Sequence, residues 1–300
     1  IGEDSTQTIV EHDIIVPDVN PDVARILLLD GEVSVGDSEA SQDRVYVDGS
    51  LRYKILYIPD GDEQSVKSIN TSSDFSYSVD VANARSGMKA KARCEIEHID
   101  YKILNGRKIN VKTILKISAK VMDEVDQEFI SDIRGVEGVQ VLKDKLDIYC
   151  YLGENNVVFN AGEDLEIPVG KPPIKEILRN DVKIVGKDSR IDDDKIIVKG
   201  DINILTLYIG DDEERSIQFM EHEIPFAQFI DLPGVGERSE CEVDYSIKNI
   251  SFIPAEDSDG ELRVLKSEIV VSLDARATDK RTLEVISDAY GLRSRIDYDR

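Results

Sequence analysis

The chain has no tryptophan, three cysteines and three histidines in 300 residues, and only 37 Lys and Arg against 61 Asp and Glu. Each shortage excludes something. An odd, sparse set of thiols cannot build a disulfide framework and points to a reducing compartment. A formal charge of −24 with no block of Lys or Arg removes nucleic acid as a partner, because phosphate binding needs a cationic face. It equally disfavours docking on an anionic leaflet. The longest aliphatic block, Ile26–Leu29, falls far short of the roughly 18 apolar residues a membrane span needs, so no membrane insertion is expected. Aromatics make up 6% of the chain, so a sugar-stacking platform would have to rest on the 11 tyrosines. Those at alternating strand positions, such as Tyr53 and Tyr57, are destined for a core. Acid–base chemistry most often uses histidine, and His12, His98 and His222 occupy unrelated positions. No Gly-x-Ser-x-Gly elbow and no His-Glu-x-x-His appears. No catalytic residue, no cofactor-binding residue and no metal ligand is assigned, no cofactor is expected, and the chain is expected not to be an enzyme. Opening on Ile1 without a signal-peptide pattern, it is expected to be processed, trimmed or incomplete at its start.

What the sequence does have is a duplication. Ile1-Gly2-Glu3 recurs as Leu152-Gly153-Glu154, an offset of 151 residues. The same offset carries Pro17 to Pro168, Pro21 to Pro172, Gly49 to Gly200, Leu56-Tyr57-Ile58 to Leu207-Tyr208-Ile209 and Phe75 to Phe226. Beyond that point the register is expected to drift, pairing Cys94-Glu95-Ile96-Glu97 with Cys241-Glu242-Val243-Asp244. Near the end, Glu128-Phe129-Ile130-Ser131-Asp132 matches Glu284-Val285-Ile286-Ser287-Asp288. The repeated positions are mostly apolar, Pro or Gly, residue types that set packing and backbone geometry. The repeat therefore records a fold and not a copied active site.

Within each copy the apolar period is two. Val45, Val47, Leu51, Tyr53, Ile55 and Tyr57 alternate with polar neighbours, as do Ile109, Val111, Leu115, Ile117, Ala119 and Val121, and then Ile269, Val271, Leu273, Ala275 and Ala277. Half-buried strands need this pattern. Asp48-Gly49, Asp60-Gly61, Asn105-Gly106 and Asp259-Gly260 supply hairpin turn signals. Short helices are expected from Pro21 to Leu29, at the twin Pro172–Leu178, and at Gln127–Ile133 with its twin. The fold class is all-β: two tandem homologous antiparallel β-sandwich-like domains with a few short helices, over residues 1–139 and 140–300. Lys145-Leu146-Asp147-Ile148, just before the second copy, resembles Arg295-Ile296-Asp297-Tyr298 near the chain's end. Residues 292–300 are thus either the first strand of a further repeat, or a linking strand, or a local closure of the second domain.

Acidic clusters at Asp60–Glu63, Asp192–Asp194, Asp211–Glu214 and Asp257–Glu261 invite a calcium reading. The last comes closest, yet a calcium loop built on Gly260 would put Ala255 first and Lys266 twelfth, where ligands are required. Solvated hairpin turns explain all four. Cys94 and Cys241, each followed by an acidic residue, are expected to be unreactive strand residues.

The strings Ile1–Gln7, Val16–Val19, Glu97–Tyr101, Asn105–Val111, Ile184–Asp188, Leu207–Asp212 and Ser216–Phe226 together resemble the SPOCS-domain family of clostridial spore morphogenetic proteins. The resemblance covers essentially the whole chain. It implies a structural protein of the spore coat or outer envelope, located in the mother-cell cytoplasm at the forespore surface. It implies partners among other spore coat and envelope proteins, and further copies of the chain itself. Long family members end in a LysM domain, of which residues 1–300 contain no trace, so contacts made through that domain are not carried over. Arg295, Ile296, Asp297 and Tyr298 are the expected partner-binding residues, donating a strand to a vacant sheet edge of the first repeat and linking chains head to tail. The competing expectation is a cell-wall glycan-binding β-sandwich module, against which the missing tryptophan weighs.

Overall fold

Alternating apolar residues become alternating buried ones along almost every strand. The computed structural model describes residues 2–61, 65–133 and 138–291, and divides into two units, Ile1–Val125 and Asp126–Arg300. The first holds β1 (Gly2–Ile15), β2 (Val23–Ser41), β3 (Arg44–Pro59), β4 (Lys67–Asp80), β5 (Lys89–Asn105) and β6 (Lys108–Met122). Its two antiparallel sheets run β1-β6-β5 and β2-β3-β4. The second holds β7 (Val139–Asn160), β8 (Asp164–Glu166), β9 (Ile174–Asp192), β10 (Lys195–Gly210), β11 (Ile217–Asp231), β12 (Ser239–Ala255) and β13 (Val264–Gly291). Its sheets run β7-β13-β12, with β8 beside β13, and β9-β10-β11. Strand for strand the two orders are the same, so the repeated sequence is a repeated sandwich-like topology of tandem β domains.

The inner faces of the central strands make each core. Val45, Val47, Leu51, Ile109, Val111, Leu115 and Ile117 have no exposed surface in the first unit, nor do Ile196, Val198, Ile202, Leu265, Val271 and Leu273 in the second. At roughly 2 kcal/mol for each fully buried aliphatic side chain, these faces dominate stability. One buried and one part-buried polar pair interrupt them. In the first unit the Tyr53 hydroxyl and Thr113 Oγ1 meet at 2.7 Å across the two sheets, satisfying both. Their equivalents in the second unit are Ile204 and Ile269, both fully buried. Conversely, Thr206 in the second unit donates to Asn180 Oδ1 at 2.8 Å on the neighbouring strand, and the equivalent pair in the first is Ile55 and Leu29. Each pair has changed as a unit, because a lone buried hydroxyl costs about 1–3 kcal/mol.

Three sequence expectations are corrected by the structure. No helix occurs among the described residues. Pro21–Leu29 and Pro172–Leu178 lead into β2 and β9, and their helix-like spacing is produced by bulges. Register shifts between Val23 and Arg25, and between Ile26 and Leu28, each insert one residue, so Val23 and Ile26 are both buried although three apart. Two shifts along β9 bury Ile174 and Leu178, four apart, in the same way. Gln127–Ile133 is irregular chain, while its twin lies inside β13. Next, Asp48-Gly49 is no turn: it sits within β3, where Gly49 lies opposite Phe75, just as Gly200 lies opposite Phe226. The β2–β3 turn uses Asp43 at φ 54°, and the β9–β10 turn uses Asp194 at φ 60°. Finally, the cysteines are not equivalent. A bulge between Ile96 and His98 in β5 recurs between Ile247 and Asn249 in β12, so the 151-residue offset persists and Cys94 corresponds to Tyr245. The offset changes only afterwards, to 156, because Glu256–Arg263 stands where the first repeat has Asn105–Arg107, five residues fewer.

Loops are repeated as faithfully as strands. Tyr57 donates its hydroxyl to the carbonyl of Pro21 at 3.0 Å, and Tyr208 to that of Pro172 at 3.0 Å. Arg107 Nη1 donates to the Asn20 carbonyl at 2.7 Å, and its twin Arg263 Nη1 to the Lys171 carbonyl at 3.1 Å. Asp43 Oδ1 accepts the Asn83 N–H at 2.9 Å, and Asp194 Oδ1 the Gly234 N–H at 2.7 Å. The duplicated Pro, Tyr, Arg and Asp residues are thus accounted for by loop architecture.

Candidate functional site

The ionisable groups most capable of chemistry are dispersed. His12 lies on β1 opposite Val111, His98 on β5 opposite Ile114, and His222 on β11, its Nε2 2.9 Å from the Glu166 carbonyl. Among the described residues no group of three or more His, Cys, Asp or Glu is gathered as a metal would need. The acidic clusters at Asp192–Asp194, Asp211–Glu214 and Asp257–Glu261 lie in hairpin turns; Asp62 and Glu63 of the remaining cluster are outside the described residues. In those turns the carboxylates cap backbone. Asp257 Oδ1 accepts from the N–H groups of Asp259 at 2.9 Å and Glu261 at 3.1 Å. Asp212 accepts from both the hydroxyl and the N–H of Ser216, which holds its carboxyl below the usual range.

Cys94 and Cys241 are poorly suited to nucleophilic work. Burial pushes Cys94 up to about 11, and also raises Cys241, where the hydrogen bond from the Arg276 backbone opposes the shift and the Glu242 charge adds to it. At pH 8, Cys94 should therefore react with a disulfide reagent about tenfold more slowly than free cysteine, its scarcer thiolate being partly offset by greater nucleophilicity. Stopped-flow thiol titration of a chain retaining only Cys94 measures this, and a rate within threefold of free cysteine would contradict the burial.

One open depression of about 610 Å³ lies along β2, β3 and β4, lined by Ser34, Gly36, Asp48, Gly49, Asp74 and Phe75 among others. It adjoins the bulge between Val35 and Ser38. Phe75 is 7% exposed, so the depression offers no broad ring on which a sugar could stack.

The remaining candidate is made of strand edges. β7 and β13 stay paired far beyond the second sandwich, from Thr278 opposite Tyr151 to Gly291 opposite Val139. β12 ends opposite Asp279, so among the described residues no strand pairs with that flank of β13 from Lys280 onward. This two-stranded ribbon exposes Val141, Leu142, Leu146, Tyr149 and Tyr290. Lys145–Ile148 pairs within it against Arg281–Glu284, so the resemblance to Arg295–Tyr298 is to a strand integral to the second sheet. Arg295–Tyr298 itself lies outside the described residues. Over its own length the first repeat has no vacant edge of the expected kind, because β1 already covers β6 from Lys108 to Val121. The irregular segment Asp126–Ile133 is exposed throughout, and touches the ribbon where the Ile286 N–H donates to the Ile130 carbonyl at 2.8 Å. With the 156-residue offset, Ile130 and Ile286 are the same repeat position. Sequence reasoning found both segments but read them as helix, because neither announces whether a neighbouring strand is available.

No helix among the described residues is long and apolar enough to cross a membrane. No curated protein and no solved structure matches the chain. The family model described as "SipL, SPOCS domain" matches twice, over residues 22–104 and 173–253, which are β2 to β5 of the first sandwich and their equivalents β9 to β12 of the second. Covering more than half the chain with one match in each repeat, it shows that this protein belongs to the SipL SPOCS-domain family of sporulation morphogenetic proteins.

Proposed function

We propose that the chain is a non-enzymatic structural protein of the spore coat or outer spore envelope, working through protein contacts and through self-association. The observation that carries this reading is what the duplication has kept. Tyr57 with Tyr208, Arg107 with Arg263 and Asp43 with Asp194 all hold loops through hydrogen bonds to backbone groups. Family membership supplies the sporulation setting, and the mother-cell face of the forespore is the place where such a protein would act. Self-association is assigned to the tail at Arg295–Tyr298, whose sequence matches a strand already used in the second sheet.

Sedimentation velocity of the 300-residue chain over a range of concentrations tests this. Association growing with concentration is expected, and growing with added salt, because a charge of −24 repels itself at low ionic strength. Removal of Leu292–Arg300 should reduce it. Immobilised protein should also retain coat or envelope proteins from sporulating cells. A chain that stays monomeric throughout and retains none of them would end the proposal.

A further inference from the structure

The ribbon that β7 and β13 form beyond the second sandwich has two unlike faces. Residues two apart on a strand, and residues directly opposite each other, share a face. Along β13 the core-facing side runs through Leu273, Ala275 and Ala277, all buried, and continues into the ribbon as Asp279, Arg281, Leu283 and Val285. Opposite these on β7 stand Cys150, Ile148, Leu146 and Asp144, and nearer the tip Leu142 stands opposite Asp288 and Gln140 opposite Tyr290. Leu142 is 58% exposed, Leu146 37% and Tyr290 53%, so the side that is core within the sandwich meets solvent in the ribbon. The reverse face carries matched charges. Lys145 lies opposite Glu284, and Asp147 accepts from Thr282 Oγ1 at 2.7 Å and lies 3.6 Å from Lys280 Nζ.

A two-stranded ribbon with one bare apolar face is marginal in water and needs a second layer. Charge identifies that layer. With the Leu146–Leu283 pair as centre, Asp144 lies two residues toward the tip and Arg281 two residues toward the sandwich. Two ribbons stacked face to face and running in opposite directions bring Asp144 of each beside Arg281 of the other, and Leu146 over Leu146. Stacked in the same direction, neither Asp144 meets a cation. The Arg281 side chain is 56% exposed and its Nε donates to Asp279 at 3.0 Å, so it also offsets the one carboxylate that would face Asp288 of the second copy. The face is complementary to itself, as an isologous contact requires.

Resting on the self-association proposed above, we infer that the apolar face of this ribbon is a dimer contact, taken by the same face of a second copy about a two-fold axis through Leu146 and Leu283. Two strands in one layer become four in two layers, and the tail takes no part. A closed two-fold contact uses up the face on both copies, so any longer assembly needs the tail as a second, different joint.

Stacked sheets lie about 10 Å apart, too far for a disulfide, so a bis-maleimide of about that span reads the contact. In a chain with Cys94, Cys150 and Cys241 changed to Ser, Leu146→Cys should cross-link to its own kind, and Tyr149→Cys, on the reverse face, should not. Sedimentation equilibrium needs no cysteine change. Asp144→Arg and Arg281→Asp should each weaken the dimer about tenfold, because the symmetry doubles the lost pair, and the two changes on one chain should restore it. All of this should persist after removal of Leu292–Arg300, which separates the ribbon from the tail. Weakening by each single change without restoration in the double would overturn the two-fold pairing, and equal cross-linking at Tyr149→Cys would overturn the face. No cross-link at Leu146→Cys, with association indifferent to both charges, would overturn the ribbon contact and leave self-association through the tail standing. A chain monomeric at every concentration would remove both proposals.

Discussion

Tyr53→Ile should cost the first sandwich about 3 kcal/mol, seen as a fall of roughly 10 °C in its melting temperature. Two losses add. The ring leaves a cavity beneath β3, and Thr113 Oγ1, with no exposed surface, loses its partner at 2.7 Å. Thr113→Ile alone should cost a similar amount, since the added carbons crowd Tyr53 and its hydroxyl is stranded. Combined, the two changes should bring stability back to within about 1 kcal/mol of the original, because Ile204 and Ile269 already fill the same two positions in the second unit. Burial also pushes the Tyr53 phenol up, so in Thr113→Ile no ionised form relieves the stranded hydroxyl at ordinary pH. Differential scanning calorimetry of the four-member cycle measures the coupling, and strictly additive losses would show that the two sites do not correspond.

Gly49→Ala should be nearly as damaging, at about 2–3 kcal/mol, although it adds a single methyl. A Cβ at Gly49 would lie 2.5 Å from Phe75 Cζ and 2.6 Å from the Ser34 carbonyl oxygen. The ring can swing aside, but the carbonyl belongs to the backbone of β2 and cannot. At Gly200 the ring is 2.8 Å away and the nearest backbone oxygen, on Val185, is 3.3 Å away. Gly200→Ala should therefore cost only about 1 kcal/mol. Chemical denaturation of the two variants compares them directly. Equal losses would mean that the aromatic ring and not the backbone sets the limit.

The central strands were legible because one physical requirement dominates them. Residues on β3, β6, β10 and β13 must be apolar at every second position to close a core, and nothing else competes there. Edge strands obey more than one rule. On β2 and β9, bulges insert residues and turn a period of two into spacings of three and four, which in a bare sequence are the spacings of a helix. Asp48-Gly49 misled for a related reason. Glycine was present for the approach of Phe75 and of a carbonyl, and not for a turn. The cysteines suggested a shift of register because two identical side chains outweighed a bulge that has no letter in the sequence. Of the candidate interface, the matching segments were visible, Glu128–Asp132 with Glu284–Asp288 and Lys145–Ile148 with Arg295–Tyr298. Which of them pair, and which stand open, depends on neighbours far along the chain, and local pattern carries no record of that.

The exchanged polar pairs bear on how such a chain avoids tangling with itself. Two tandem folds of the same topology offer every strand a second home, and a ribosome delivers the first copy before the second exists. Were β3 to settle in the place of β10, Tyr53 would face Ile269 and its hydroxyl would be sealed in hydrocarbon. Were β10 to take the place of β3, Thr206 would sit opposite Leu29 without the amide of Asn180. Either error strands a buried hydroxyl and costs about 1–3 kcal/mol beyond any misfit of shape. A pair of water-loving groups hidden in each half, and absent from the other, works as a key that admits only its own lock.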